Sequence, residues 1–209
     1  MSEQSRRSFL SSTIAGGVTA AVTSSAAAAP ANSQIAVGLI GFNGMGMHHV
    51  QQIASNRGAR AVALCDVDEA VLARGASRVN EIAGNSPRTT RDFRSIIDDD
   101  SIDAVVIATP HHWHCPIAVP ALLAGKDVYV EKPDGHDIVE GQRMVQAMRK
   151  HKRIVQMGSQ HRSTKRMQTA LAYIREGHLG KCLVAKAWES TKQGNIGRPP
   201  DGVAPKEVD

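Results

Sequence analysis

A glycine-rich segment at residues 41–46, with the sequence GFNGMG, has the composition of a phosphate-binding turn. A pyrophosphate rests on the N-terminus of a helix only where no side chain blocks the backbone N–H groups. Gly41 would form the tight turn and Gly46 would let strand and helix pack closely, but Asn43 replaces the middle glycine of the G-x-G-x-x-G pattern. The residues of this loop expected to bind a dinucleotide are Gly41, Asn43, Gly44, Met45 and Gly46.

An acidic residue, Asp66, stands 20 positions after Gly46 and follows an apolar run. A carboxylate at the end of a second strand accepts hydrogen bonds from the adenosine ribose hydroxyls and repels a 2′-phosphate. The first basic residue after it is Arg74, so the spacing favours NAD over NADP. The alternative is that Asp66 only caps the following helix.

Two further segments carry side chains suited to proton transfer: residues 109–116 read TPHHWHCP and residues 129–133 read YVEKP. Lys132 is the candidate acid/base for a reacting hydroxyl, because desolvation and a nearby cationic nicotinamide ring would lower the pKa of its ammonium group. The alternative is a solvent-exposed Glu131–Lys132 ion pair. Three histidines in a short loop without a carboxylate partner are a poor ligand set, so we expect no metal.

Apolar runs that alternate with helical segments must position these loops. The sequence predicts strands over 35–40, 61–66, 104–108, 127–130 and 154–157, and helices over 45–54, 69–83, 116–124 and 139–150. This alternation predicts an α/β fold with a Rossmann-type, doubly wound parallel sheet. Ligands bind such sheets outside the carboxyl ends of the strands, so the three loops should meet at one edge.

Composition excludes several classes of protein. Hydrophobic residues make up 42% and charged residues 22% of the 209 positions, which is typical of one soluble domain with an appendage. The net charge of +5 includes no basic block interleaved with aromatics, which argues against nucleic-acid binding. Cys65, Cys115 and Cys182 are odd in number and far apart, so they indicate neither a disulfide framework nor a zinc site.

Residues 1–31 are expected to be a targeting segment rather than part of the fold. They contain SRRSFL at 5–10, a weakly apolar stretch and an alanine-rich run, as in twin-arginine signals. A stable membrane span is the alternative, but glycines and hydroxyl side chains interrupt the short apolar stretch. We therefore expect export, a periplasmic location and the twin-arginine machinery as a partner. That route moves folded proteins, which suits a protein that collects its dinucleotide in the cytoplasm.

Several of these segments together resemble the Gfo/Idh/MocA family, which includes glucose-fructose oxidoreductase and inositol dehydrogenases. The matching segments are VGLIGFNGMG, ALCDVD, SIDAVVIATPHHWHCPIAVPALLAGKDVYVEKP and VQMGSQHRS, between Ile35 and Ser190. The long central segment and its E-K-P triplet are far more specific than the glycine loop.

The resemblance implies roles for individual residues. Lys132 would contact the substrate hydroxyl and assist its proton transfer, and Glu131 would orient that lysine and the cofactor. The Lys132–Pro133 bond is often cis in such proteins. The residues implied on the nicotinamide side and at the pocket mouth are Thr109, Pro110, His112, Trp113 and His114. The polar positions implied near the substrate are Gln160 and Arg162.

The family continues into a second α+β domain, of which this chain is expected to contain only the truncated start. The sequence predicts a helix over 164–176, a strand over 181–190 and a disordered tail over 193–209. We divide the chain into a leader (1–31), an NAD-binding domain (32–158) and an incomplete second domain (159–209). The chain would then be a fragment or a truncated reading frame.

The expected activity is that of an NAD-dependent oxidoreductase acting on a CH–OH group of a sugar, inositol or related polyol. One alternative is a redox glycosidase on the same scaffold, in which bound NAD oxidises the sugar transiently to permit elimination. The other is a dinucleotide-binding fragment without catalysis. A full-length form would be compatible with a homo-oligomer.

Overall fold

A computed structural model of the chain describes residues 34–188, together with Gly202, Lys206 and Val208. The expected leader at 1–31 and most of the expected disordered tail at 193–209 lie outside the described residues. Among the described helices, none is both long enough and apolar enough to cross a membrane.

The described residues form six parallel strands in one sheet, with the order β3-β2-β1-β4-β5-β6. The strands are β1 Ile35–Ile40, β2 Ala59–Cys65, β3 Arg88–Thr90, β4 Ala104–Ile107, β5 Asp127–Val130 and β6 Val155–Met157. The helices are α1 Met45–Ser55, α2 Glu69–Ala83, α3 Arg94–Ile97, α4 His114–Leu123, α5 Ile138–His151 and α6 Lys165–Arg175. This strand order reverses between β1 and β4, which confirms the expected Rossmann-type fold.

Helices cover both faces of the sheet. Successive side chains of a strand point to opposite faces, so each face carries apolar side chains that pack against helices. Leu39 of β1 packs in one buried cluster with Val50 of α1 and Val71 of α2. The next residue, Ile40, packs in the other cluster with Ile117 of α4 and Met144 of α5. The core therefore consists of two apolar layers on either side of the sheet, and the loops at its carboxyl edge remain accessible.

The observed elements differ from the predicted ones in several places. The short polar strand β3 was not predicted, and it forms by pairing Arg88–Thr90 with the end of β2. Helix α4 begins at His114 rather than at 116, since the chain enters it directly from a 3-10 turn over His111–Trp113. The predicted strand over 181–190 is wrong for residues 181–188, which are exposed and have no strand partner, and the rest lies outside the described residues.

Helix α6 confirms the helix predicted over 164–176. It begins where the Thr164 side chain accepts a hydrogen bond from the backbone N–H of Met167. None of its residues is buried, and apolar side chains such as Leu171 and Ile174 are exposed. The helix therefore forms by local interactions, without packing against the Rossmann core.

Candidate functional site

A cleft of about 810 Å³ opens at the carboxyl edge of the sheet, where the loops after β1, β2, β3 and β4 meet. The expected site residues that line it are Gly41, Asn43, Asp66, Thr109, Pro110, His112 and Trp113. The strand ends thus bring together positions from two separate loops and the glycine turn. Those outside the cleft lining are Gly44, Met45, Gly46, His114, Glu131, Lys132, Gln160 and Arg162.

The glycine loop is shaped for close approach of a ligand to backbone. Gly41 has a φ of +71°, and a Cβ there would come within 2.8 Å of the backbone N of Thr109. A Cβ on Gly46 would lie 2.5 Å from the carbonyl O of Gly41. Gly44 is the N-cap of α1, where no side chain caps the helix and no acidic residue stands in the first turn. A dinucleotide pyrophosphate fits this helix start, because backbone N–H groups without side-chain partners attract anions.

Asp66 joins the glycine loop to the end of β2. Its Oδ2 accepts a hydrogen bond from the backbone N–H of Phe42 at 2.9 Å, and its Oδ1 accepts one from the N–H of Asp68 at 3.2 Å. The helix-capping role considered for Asp66 belongs instead to Asp68, whose side chain accepts from the N–H groups of Ala70 and Val71. Each Asp66 oxygen keeps acceptor capacity for a ribose hydroxyl.

The loop after β3 brings basic residues into the cleft that the spacing after Asp66 does not reveal. Arg91 and Arg94 both line the cleft, and the Arg91 Nη1 lies 3.3 Å from Glu69 Oε1. The Arg94 guanidinium lies 5.0 Å from the centroid of the Phe93 ring. Basic residues therefore line the cleft although none directly follows Asp66 in the sequence.

Cys65 also lines the cleft, at the end of β2. Burial, followed by the negative charge of Asp66, raises the pKa of the Cys65 thiol to about 12. The thiol is therefore neutral at physiological pH, and we assign it no nucleophilic role.

Glu131 directly follows β5, outside the cleft lining, and is buried, with 5% of its surface exposed. Its Oε1 accepts hydrogen bonds from His49 Nε2 at 2.8 Å, from Gln160 Nε2 and from the Tyr129 hydroxyl at 3.4 Å. Its Oε2 accepts one from the backbone N–H of Lys132 at 3.2 Å. Burial, and then the charge of Glu131, raise the pKa of Tyr129. Glu131 is thus a shared acceptor for three parts of the chain.

Lys132 is exposed, and the peptide bond that joins it to Pro133 is cis, as the resemblance implied. The contact between Glu131 and Lys132 is made by the lysine backbone, so Glu131 fixes the chain at Lys132. The alternative of a solvent-exposed ion pair is wrong for Glu131, because that carboxylate is buried.

His114 differs from the expected position at the pocket mouth. It is 1% exposed, with its Nδ1 at 2.5 Å from the carbonyl O of Pro133 and its Nε2 at 2.9 Å from that of Thr109. The first turn of α4 directs the ring inward, between the loop after β4 and the loop after β5. His114 therefore packs between these two loops and does not line the cleft.

The other two loop histidines are exposed. His111 Nε2 lies 2.9 Å from His136 Nδ1, and the two rings are stacked. Trp113 faces Phe93 with ring centroids 6.2 Å apart, and His112 lies beside it in the cleft lining. In the part of the chain that the structure describes, no three His, Cys, Asp or Glu side chains come together as a metal site.

Gln160 and Arg162 lie in an exposed 3-10 turn, Gln160–Ser163, which follows β6. The structure brings Gln160 to Glu131, so one of the two positions implied near the substrate reaches the site through a hydrogen bond. Arg162 belongs to the same turn and is exposed.

His49 is a residue of this site that the sequence reasoning missed. It lies on α1 three positions after Gly46, and the buried residues of that helix are Gly46 and Val50. Residues three and four apart share a helix face, so a histidine at this position points toward the core side. The sequence signal that could have identified His49 is a polar side chain on the buried face of α1.

Comparison with known proteins identifies relatives of this chain. Residues 35–159 match the Gfo/Idh/MocA profile, described as an oxidoreductase family with an NAD-binding Rossmann fold. Proteins named glycosyl hydrolase family 109 protein 2, from Shewanella sp. strains ANA-3 and MR-4, are 36% identical over 166 residues. The alignment covers 67% of this chain and 36% of each relative, so the chain spans well under half of their length.

Solved structures of similar fold include two inositol dehydrogenases. Myo-inositol 2-dehydrogenase from Lactobacillus plantarum is 27% identical with a TM-score of 0.65, covering 71% of this chain and 43% of that one. Scyllo-inositol dehydrogenase from Lactobacillus casei, solved with NAD(H) and scyllo-inositol, is 28% identical with a TM-score of 0.64, covering 70% and 42%. A levoglucosan dehydrogenase in complex with NADH and levoglucosan is 31% identical with a TM-score of 0.64, covering 71% and 41%.

Proposed function

This chain belongs to the Gfo/Idh/MocA family of NAD-binding oxidoreductases, and from that premise we propose that it binds NAD in the cleft for hydride transfer to or from a hydroxyl-bearing carbon of a sugar, inositol or related polyol. One observation carries the proposal: the glycine loop that leads into the uncapped start of α1 is hydrogen-bonded to Asp66, and both line one cleft with the loop that follows β4. The chain covers only 36% of the length of its relatives, so the activity and the substrate of the whole protein are also proposals.

Each loop at the cleft would contact a different part of the dinucleotide. The N–H groups at the start of α1 would bind the pyrophosphate, and Asp66 would accept hydrogen bonds from the adenosine ribose. The nicotinamide would then lie toward Thr109 and Trp113, on the side of the cleft formed by β4. NAD is preferred over NADP in this proposal because the Asp66 carboxylate would repel a 2′-phosphate.

Lys132 is the candidate acid/base. When bound, NAD would accept the hydride that leaves the carbon of a secondary alcohol as that alcohol is oxidised to a ketone. The Lys132 amine would take the hydroxyl proton as the carbonyl forms, and the ammonium group would return it in the reverse direction. Glu131 would assist by fixing the backbone at Lys132, since it accepts the N–H of that residue.

The first experiment separates binding from chemistry with Lys132→Met. We expect the 209-residue chain to keep its NAD affinity within about 3-fold, because the exposed lysine lies outside the lining of the cleft. In a form extended by the region that the relatives carry beyond the aligned part, turnover should fall ~10²-fold or more. Lys150→Met, an exposed change on α5, is the matched control and should alter neither quantity. Undiminished turnover in Lys132→Met would remove the lysine from the chemistry.

A redox glycosidase is the second candidate, and it is favoured by the relatives named glycosyl hydrolase family 109 proteins, which are 36% identical. In this alternative NAD would oxidise the sugar transiently, the aglycone would leave by elimination, water would add to the resulting double bond, and the hydride would then return to the carbonyl carbon. Incubation of the extended protein with glycosides and with free polyols discriminates the two candidates. Net NADH with a free polyol supports the dehydrogenase, whereas aglycone release without net NADH supports the glycosidase. NAD binding with neither reaction would indicate a binding module.

We further propose that residues 1–31 direct export by the twin-arginine route and that residues 159–209 begin a second domain. The SRRSFL sequence supports the first proposal, and the unpacked helix α6 supports the second. Fusion of residues 1–31 to a reporter tests export, with both arginines changed to lysine as the control. If the reporter fused to the original residues 1–31 stays in the cytoplasm, these residues do not direct export.

A further inference from the structure

The buried carboxylate of Glu131 depends on donors from distant parts of the chain. A buried charge is costly unless hydrogen bonds satisfy it. The donors to Oε1 are not equivalent, since the Tyr129 hydroxyl is at 3.4 Å and Gln160 belongs to an exposed turn. His49 donates from 2.8 Å, and it lies on a helix that packs in the core. His49 is therefore the donor held most firmly by the fold.

The His49 ring is well enclosed. Its side chain is 15% exposed, and its ring meets the ring of Tyr129 edge-on with centroids 5.0 Å apart. The neighbouring His48 is exposed on the same helix. The two histidines therefore differ in burial and contacts although they share chemistry and sequence position.

His49 lies between the two halves of the candidate site. The start of α1 carries the N–H groups offered to the pyrophosphate, and His49 follows Gly46 by three positions on that helix. At the other end, Glu131 accepts from both His49 Nε2 and the backbone N–H of Lys132. A continuous set of contacts thus runs from the phosphate-binding helix to the backbone of the candidate acid/base.

We propose that His49 is a positioning residue that couples occupancy of the glycine loop to the backbone position of Lys132. It acts through Glu131: the imidazole fixes the carboxylate, and the carboxylate fixes the Lys132 N–H. The coupling to a ligand rests on the proposed NAD-binding function, whereas the tether itself depends only on contacts within the chain.

Hydrogen exchange at the Lys132 amide tests the tether in the 209-residue chain without any turnover. His49→Phe keeps a ring against Tyr129 and removes the donor, while His49→Gln removes the ring and keeps a donor. We expect exchange at the Lys132 amide to be about 10-fold faster in His49→Phe and within about 2-fold of the original chain in His49→Gln. His48→Ala is the matched control and should leave this amide unchanged. His49→Ala replaces His49→Phe if the larger ring prevents folding.

Equal exchange in His49→Phe and His48→Ala would overturn the tether. Loss of protection in His49→Gln as large as in His49→Phe would also overturn it, because ring packing rather than the hydrogen bond would then be responsible. Melting temperatures of all variants separate local opening of the Lys132 backbone from general loss of stability.

ADP tests the coupling, because it offers the adenosine and pyrophosphate without the nicotinamide that would approach Lys132 directly. In the original chain, ADP should protect the amides of residues 41–46 and slow exchange at Lys132 by about 3-fold. His49→Phe should keep the protection at 41–46 and lose the effect at Lys132. Equal ADP protection of Lys132 in both proteins would overturn the coupling. An absence of ADP protection at 41–46 would count against the proposed NAD site and the coupling, while the exchange rates without ligand would still decide the tether.

Discussion

Helices α1 and α2 begin at the same edge of the sheet, directly after neighbouring strands, yet their first turns are completed in different ways. Asp68 caps α2 by accepting from two backbone N–H groups, and Glu69 adds a negative charge to its first turn. Helix α1 begins at Gly44 with neither a side-chain cap nor an acidic residue. Both helices have N–H groups without intrahelical partners at their starts, but a side chain accepts from two of them in α2 and from none in α1.

The capped helix also supports the uncapped one. Phe42 of the glycine loop is fully buried, and it packs against α2 so closely that a Cβ on Gly75 would lie 2.3 Å from its ring. The loop is thus held by a helix whose own start is already satisfied. The candidate ligand site therefore combines two helices: α1, whose start has no side-chain cap, and α2, whose start is capped by its own Asp68.

The largest effect on NAD affinity is expected from Gly46→Val at the uncapped start of α1. A side chain at this position would meet the carbonyl O of Gly41 at 2.5 Å and Phe42 Cβ at 2.9 Å, so the loop would have to move away from the helix start. We expect NAD affinity, measured by calorimetry, to fall about 100-fold, which corresponds to about 2.8 kcal/mol. Ser55→Val at the other end of α1 is the control. Unchanged affinity in Gly46→Val would mean that the ligand does not use this helix start.

A smaller effect is expected from Asp66→Ala, which removes the carboxylate between the two helices. The change deletes the acceptor for the Phe42 N–H and the expected acceptor for the ribose hydroxyls. We expect NAD to bind about 10-fold more weakly and its advantage over NADP to narrow, as measured by parallel titrations with both dinucleotides. Discrimination equal to that of the original chain would exclude Asp66 from the ribose site.

Asp68→Ala should affect stability and leave binding alone. It removes the cap from α2, where the Asp68 side chain accepts from Ala70 N at 2.8 Å and Val71 N at 3.2 Å. We expect the free energy of unfolding to fall by about 1 kcal/mol in urea titrations, with NAD affinity within about 2-fold. Asp100→Ala, an exposed substitution outside any helix, is the control. A large loss of NAD affinity would mean that the two helix starts are not independent.

The smallest effect is expected from Arg74→Ala, which removes a direct link between α2 and the glycine loop. Arg74 Nη2 donates to Asn43 Oδ1 at 3.4 Å, and both side chains are exposed. Such surface contacts contribute roughly 0–1 kcal/mol, so NAD and NADP affinities should each change by less than about 3-fold. A selective loss of NADP binding would instead give Arg74 a role in cofactor choice.

Most of the sheet could be predicted because its strands are continuous apolar runs. The buried strand β4, with Val105 and Ile107, is the clearest case. Strand β3 could not be predicted, since Arg88–Thr90 is short and polar and becomes a strand only by pairing with β2. The strand predicted over 181–190 fails for the opposite reason: its residues favour extended structure, but no neighbouring strand pairs with residues 181–188.

The candidate site was predictable where its residues lie in short sequence motifs. The glycine loop and Asp66 follow a fixed spacing, so both could be placed. The contact between His49 and Glu131 spans 82 positions and depends on how α1 lies against β5. Nor does the order HHWH show that His114 is the histidine that turns inward, because its burial requires two loops to close around it.

Gly158 has a consequence for the genetics of this protein. It follows β6 and is buried, and a Cβ there would lie 2.7 Å from the Tyr129 hydroxyl and 2.8 Å from Glu131 Oε1. Every missense change of a glycine codon adds at least that carbon. In a saturation library selected for function, glycine should therefore be strongly favoured at position 158, because a larger residue would have to displace the Tyr129 hydroxyl or the Glu131 carboxylate.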